Sequence, residues 1–107
     1  MNRNTFKKLE LTNGEVVNLT MTFSSLLFVK NHDEKLYDRF MKIMQNKNFD
    51  IVFDALTVIY VGYICANLKS LEDGTLLSEG DFMDIAPFDI AIINTLAGEL
   101  IGANKKK

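Results

Sequence analysis

Apolar and polar residues alternate at the start of the chain. Leu9 and Leu11 fall on one side of an extended segment and Lys8 and Glu10 on the other, and beyond Asn13-Gly14 the apolar Val17, Leu19 and Met21 alternate with Asn18 and Thr20. A period of two predicts a β-hairpin. Its register follows from the face that must be buried. A two-residue turn at Asn13-Gly14 would pair Leu11 with Val16 and Glu10 with Val17, which sets the two apolar rows on opposite faces. A three-residue loop, Thr12 to Gly14 with Gly14 left-handed, pairs Leu9 with Val17 and aligns them. The second register is expected. An isolated hairpin is marginal in water, so its apolar face must lie on helices or on strands of another chain.

The period then becomes helical. Thr22 is placed to cap a short helix from Phe23 to about Lys30, and Asn31 with Glu34 three residues on has capping-box spacing for a second helix reaching Gln45. In that helix Leu36, Tyr37, Phe40, Met41, Ile43 and Met44 gather on one side and Lys35, Asp38, Arg39 and Lys42 on the other, an amphipathic pattern that Asn46-Lys47-Asn48 ends. From Asp50 to Asn67 almost every position is apolar, interrupted only by Asp54, Thr57 and Gly62. A helix apolar all round is buried all round, which predicts the centre of the core. The stretch after Asp54 runs about a dozen residues, short of the roughly 20 that cross a bilayer. It is also longer than an ordinary strand, despite its β-branched content. Glu72 to Thr75 reads as a turn, and Ser78 with Asp81 caps a short helix ending near Ala86. Pro87 suits the first position of a last helix, with Asp89 in its first turn, running through Ile90, Ile93, Leu96, Ala97, Leu100 and Ile101 and loosening at Gly102. The expected fold is mainly α with a small N-terminal β-hairpin (α+β), about five helices packing around the central apolar one. Residues 1–104 are expected to form one domain, with Lys105, Lys106 and Lys107 as a solvated tail.

Composition narrows the function classes. One Cys in 107 residues cannot form an internal disulfide, and one Cys with one His cannot fill the three or four protein positions of a zinc site. Arg3, Lys7 and Lys8 are followed by no apolar run, so no signal peptide is expected and the protein is read as cytoplasmic, with no membrane partner. The net charge is −2 overall and −5 without the Lys tail, where 9 cations face 14 carboxylates, and only two of the cations are Arg. Nucleic-acid binders gather Lys and Arg on one face, because phosphate neutralisation supplies most of their affinity. A small DNA-binding regulator is therefore disfavoured, and no nucleic-acid partner is expected.

Catalytic and metal-binding candidates are sparse. His32 sits at a helix boundary, where a solvated loop histidine is the simpler reading. Cys65 lies in the most apolar segment with no base nearby, and reads as a small buried hydrophobe. Asp50 and Asp54 share a helix face near its N-terminus, where dipole stabilisation accounts for them without a metal. No phosphate loop, nucleophile elbow or zinc spacing occurs, so neither an enzyme nor a cofactor is expected. What stands out is the aromatic supply: eight Phe and three Tyr, with five Met. Some of Phe23, Phe28, Phe49, Phe53, Phe82 and Phe88 are expected at the surface, where an aromatic patch marks a partner site.

The central helix also carries a resemblance. Tyr60, Tyr63, Cys65, Ala66 and Asn67 form a Tyr-x-x-Tyr-x-Cys-Ala-Asn run that resembles a helix of the tail assembly chaperones of long-tailed phages of Gram-positive bacteria. Leu19, Thr20 and Phe23 are similar to that family's Leu-Thr element leading into a helix, and Ser78, Glu79, Asp81 and Phe82 to its capped acidic-aromatic helix. Gly80 stands where the family pattern has an acidic residue. The similarity covers residues 16 to 100. It implies a nonenzymatic assembly factor, absent from the mature virion, that binds the hydrophobic helical repeats of the tape measure protein and keeps it soluble while the tail is built. It also implies self-association, which the hairpin's free strand edges could serve as an open-ended homo-oligomer. Helix-in-groove recognition would place aromatics along an apolar groove, with Phe23, Phe28, Phe82 and Phe88 expected as its lining and with little salt dependence in binding. The alternative is a small phage structural subunit for tail completion or head-to-tail joining, which would be found in purified virions.

Overall fold

The computed structural model describes residues 6–45, 50 and 52–105. The chain opens with β1 (Lys7–Glu10) and β2 (Val16–Leu19), an antiparallel pair in which Leu9 faces Val17 and Glu10 faces Val16. The loop has the expected three residues: the Leu11 amide donates to Glu15 O at 2.7 Å, the Gly14 amide to Leu11 O at 2.9 Å, and Gly14 has φ +89°. A side chain is strained at that φ, so glycine closes this loop. Leu9, Leu11 and Leu19 are buried together, and the hairpin lies on helices of its own chain.

Six helices follow among the described residues: α1 (Phe23–His32), α2 (Glu34–Gln45), α3 (Phe53–Cys65), α4 (Leu68–Asp73), α5 (Glu79–Ile85) and α6 (Ile90–Lys105). A capping box opens α1: Thr22 Oγ1 accepts from the Ser25 amide at 3.2 Å, and Ser25 Oγ accepts from the Thr22 amide at 3.1 Å. The α1–α2 boundary lies at Asp33, two residues past the expected Asn31 cap. Asp33 donates its amide to Val29 O, closing α1, and its carboxylate accepts from the Leu36 amide at 3.2 Å, opening α2. A carboxylate at a helix start satisfies an orphan amide and meets the positive end of the dipole, which Asn31 would do less well. At α5 the Ser78 hydroxyl accepts from the Asp81 amide, as expected, and Gly80 does not interrupt the helix.

Helix α3 touches β2 and all five other helices, and its residues from Thr57 to Cys65 are buried without a break. At Gly62 the neighbours approach closely. The Thr20 amide donates to Gly62 O at 3.1 Å, which joins the end of β2 to the helix, and a Cβ on Gly62 would stand 2.8 Å from Leu100 Cδ1 and 3.3 Å from Thr20 O. Strand, central helix and α6 therefore meet where a side chain is missing. On the opposite flank Arg39 of α2 forms a two-pronged pair with Glu79 of α5, at 2.9 and 2.7 Å, and reaches Thr57 Oγ1 of α3 at 3.4 Å.

Three expectations need adjustment. Leu68 to Asp73 is helical, so the turn read at Glu72 to Thr75 is the end of α4, and the helix count is six. The last helix starts at Ile90, with Asp89 Oδ1 accepting from the Ile92 amide at 3.2 Å, so Pro87 lies in the link before it. Helix α3 starts at Phe53 and ends at Cys65, inside the predicted span. No helix among the described residues is long and apolar enough to cross a membrane.

Candidate functional site

The aromatic residues divide into an inner and an outer group. The inner group is Tyr60, Tyr63 and Phe82, whose ring centroids lie 5.0 to 6.0 Å apart. The two tyrosines, one turn apart on α3, grip both backbone groups of one residue in the α4–α5 link: Tyr60 Oη donates to Leu77 O at 2.8 Å, and the Leu77 amide donates to Tyr63 Oη at 3.3 Å. Burial, with the Glu79 carboxylate second, pushes the Tyr60 phenol up to about 12. Asn67 Nδ2 donates to Tyr63 O at 2.8 Å, satisfying a carbonyl at the end of α3. Cys65 is buried, and desolvation raises its thiol to about 11, partly offset by a hydrogen bond with Ser25. The Tyr-x-x-Tyr-x-Cys-Ala-Asn run is thus scaffold: it fixes the exit of α3 and the link to α5.

The outer group surrounds a cleft of about 230 Å³ where the starts of α3 and α6 meet the end of α5. Phe53 and Leu56 come from α3 and Met83 from α5, while Pro87, Phe88, Ile90 and Ile93 close the far side. Phe88 is 94% exposed and Phe53 63%, and Ile90 on the same rim is also exposed. The local sequence explains why these rings stand out. Phe53 is in the first turn of α3, before the buried run begins, and Phe88 lies between helices, where no neighbouring turn covers it. The carboxylate of Asp50 accepts from the Val52 and Phe53 amides at 2.8 and 3.1 Å, and Asp54 Oδ2 accepts from the Asp50 amide at 3.0 Å. Both acids are engaged in holding the start of α3, which sets the position of Phe53.

The four aromatics expected along one groove are separated. Phe88 lines the cleft. Phe23 is 81% exposed, but it lies on α1 beside exposed Leu27 and does not line the cleft. Phe28 is half-buried and stacks on His32 with centroids 6.0 Å apart. Phe82 is 0% exposed, so its assignment to an outward groove is corrected. Being near a helix end does not turn a ring outward when its helical phase points to the core: Phe82, Ile85 and Ala86, at i, i+3 and i+4, share the face turned to α3. Phe53 is the cleft aromatic missing from those four; it was one of the six phenylalanines of which some were expected at the surface, but the apolar run it opens gave no mark that set it apart. Phe49 lies outside the described residues. Compared with known protein families, curated proteins and solved structures, the chain has no match.

Proposed function

We propose that the protein is a phage tail assembly chaperone that shields hydrophobic helical segments of the tape measure protein in the cleft between α3, α5 and α6. The observation that carries this reading is the pair of exposed rings, Phe53 and Phe88, brought together on the rim of one apolar cleft, whereas the other exposed aromatics among the described residues, Phe6 and Phe23, line no part of it. Leaving two phenyl rings in water forgoes burial worth about 1.5–3 kcal/mol each, a cost that binding would recover. The cleft is short, so one copy would cover only a turn or two of a long helix. Several weak contacts from several copies would supply the affinity, consistent with self-association along the partner.

The reading is supported further by the resemblance of the central helix, whose residues hold the scaffold on which the cleft is built. Co-expression of the protein with its phage's tape measure protein tests it. The tape measure protein should move from the insoluble to the soluble fraction and co-purify with the chain, and purified virions should lack the chain. Recovery of the chain from virions, with no effect on solubility, would favour a structural subunit instead.

A further inference from the structure

Charge is divided along the chain. Residues 50–104 carry nine carboxylates and one cation, Lys69, a balance of −8, whereas residues 1–49 carry eight cations and five carboxylates, a balance of +3. The cleft is lined entirely by the acidic part, with Asp89 on its wall, Asp84 next to the lining Met83, and the Asp50 carboxylate bonded to the Val52 and Phe53 amides. Among the described residues, two sources of positive charge act against these acids. The N-termini of α3 and α6 both open at the cleft and bring about +0.5 each. A neighbouring depression beyond Phe53 and Met83 contains Arg39 and Lys42, but Arg39 is paired with Glu79 and Asp54 shares that depression with Lys42. Asp50, Asp84 and Asp89, all exposed, against about one unit of dipole charge leave the rim anionic by roughly two charges.

We propose that the cleft selects an amphipathic helix whose apolar face is flanked by lysine or arginine, with Asp50, Asp84 and Asp89 rejecting helices flanked by acidic residues. This rests on the reading of the cleft as a helix-docking site. It modifies the expectation of little salt dependence: apolar contact supplies affinity at any ionic strength, and the rim adds selectivity that salt removes. Exposed ion pairs are weak singly, but the comparison sets attraction in one ligand against repulsion in the other, so a preference on the order of tenfold is expected.

The test uses two labelled synthetic helical peptides with the same Leu and Phe face, one flanked by Lys and the other by Glu, titrated against the full chain by fluorescence anisotropy. At about 50 mM salt the Lys peptide should bind on the order of tenfold more tightly, and near 500 mM the gap should close, because the screening length falls to a few ångströms. Asp84→Asn with Asp89→Asn should shrink the preference severalfold while keeping a capping acceptor at position 89. Glu72→Gln with Asp73→Asn, on α4 outside the cleft, should leave it unchanged, and Phe88→Ala should weaken both peptides. Equal binding of the two peptides, or tighter binding of the Glu peptide, overturns charge selection and leaves the docking cleft standing. Binding of neither peptide overturns both. A preference that survives the Asp84 and Asp89 changes, or falls equally with the α4 changes, reports diffuse attraction to the acidic half and also overturns it.

Discussion

The inner aromatics and the outer ones are neighbours in sequence, Phe53 with Tyr60 and Tyr63 on α3, and Phe82 on α5 with Phe88 six residues on in the link to α6, yet their surroundings differ. Tyr60, Tyr63 and Phe82 are buried and in ring contact, and the two tyrosines are tied to the backbone of Leu77. Phe53 and Phe88 stand in solvent around a cleft that the described residues leave unfilled. Proximity to a helix end does not separate the two groups, since Phe82 and Phe88 flank the same break at Pro87. Helical phase does. A ring on the face toward α3 is structure, and a ring ahead of or between the helices is surface.

Substitutions should break this comparison in a definite order. The largest effect is expected at Phe82→Ala, which empties the centre of the inner cluster and should cost about 3–5 kcal/mol in urea unfolding, with Ile59→Ala on α3 at about 2–5. A loss below about 1 kcal/mol at Phe82 would mean that the inner cluster is not structural. Gly62→Ala comes next, at about 1–3 kcal/mol, because the new methyl meets a buried Leu100 side chain on one side and a backbone carbonyl on the other. Thermal melts that match the parent would show that α3 and α6 have slack at their crossing.

Tyr60→Phe should cost about 1–3 kcal/mol at neutral pH by leaving Leu77 O without its donor. It also has a pH signature. The folded state holds the Tyr60 proton to about 12 against an ordinary 10.0, and the Cys65 proton to about 11 against 9.0, so the folded state binds more protons than the unfolded one between these values. Stability from both groups is therefore complete below about pH 9 and is lost as pH rises through 11 to 12. Urea midpoints measured from pH 8 to 12 should fall, and Tyr60→Phe should flatten the decline above pH 10. The smallest stability effect is expected at Phe88→Ala, within about 0.5 kcal/mol of the parent. Binding of the partner helix should nevertheless weaken by about 1–2 kcal/mol or more, as an aromatic anchor requires.

Much of the fold was legible because single physical demands pointed one way. Gly14 and the alignment of Leu9 with Val17 leave one hairpin register, and an all-apolar α3 leaves one place for that helix. Helix α4 was missed because Leu68 to Asp73 is under two turns and its left-handed C-cap, Gly74, was read as part of a turn; the Asn67 side chain turns back to Tyr63 O instead of capping α4. The start of α6 was set too early because proline suits a first helical position generally, while here the carboxylate of Asp89 makes the cap. The cleft was only half legible. Phe88 was legible from the bend at Pro87 beside it, but Phe53 sits in a segment so apolar that its exposure depends on where the neighbouring helices stop, which is a property of the packing.

The central claim is that the outer rings serve a partner and the inner ones the fold, and the double variant Phe53→Ala, Phe88→Ala tests it most directly. Its thermal melt should stay within a few degrees of the parent, while the fraction of co-expressed tape measure protein that remains soluble should fall to the level seen without the chain. A double variant that unfolds, or one that folds and still keeps the tape measure protein soluble, would contradict the account.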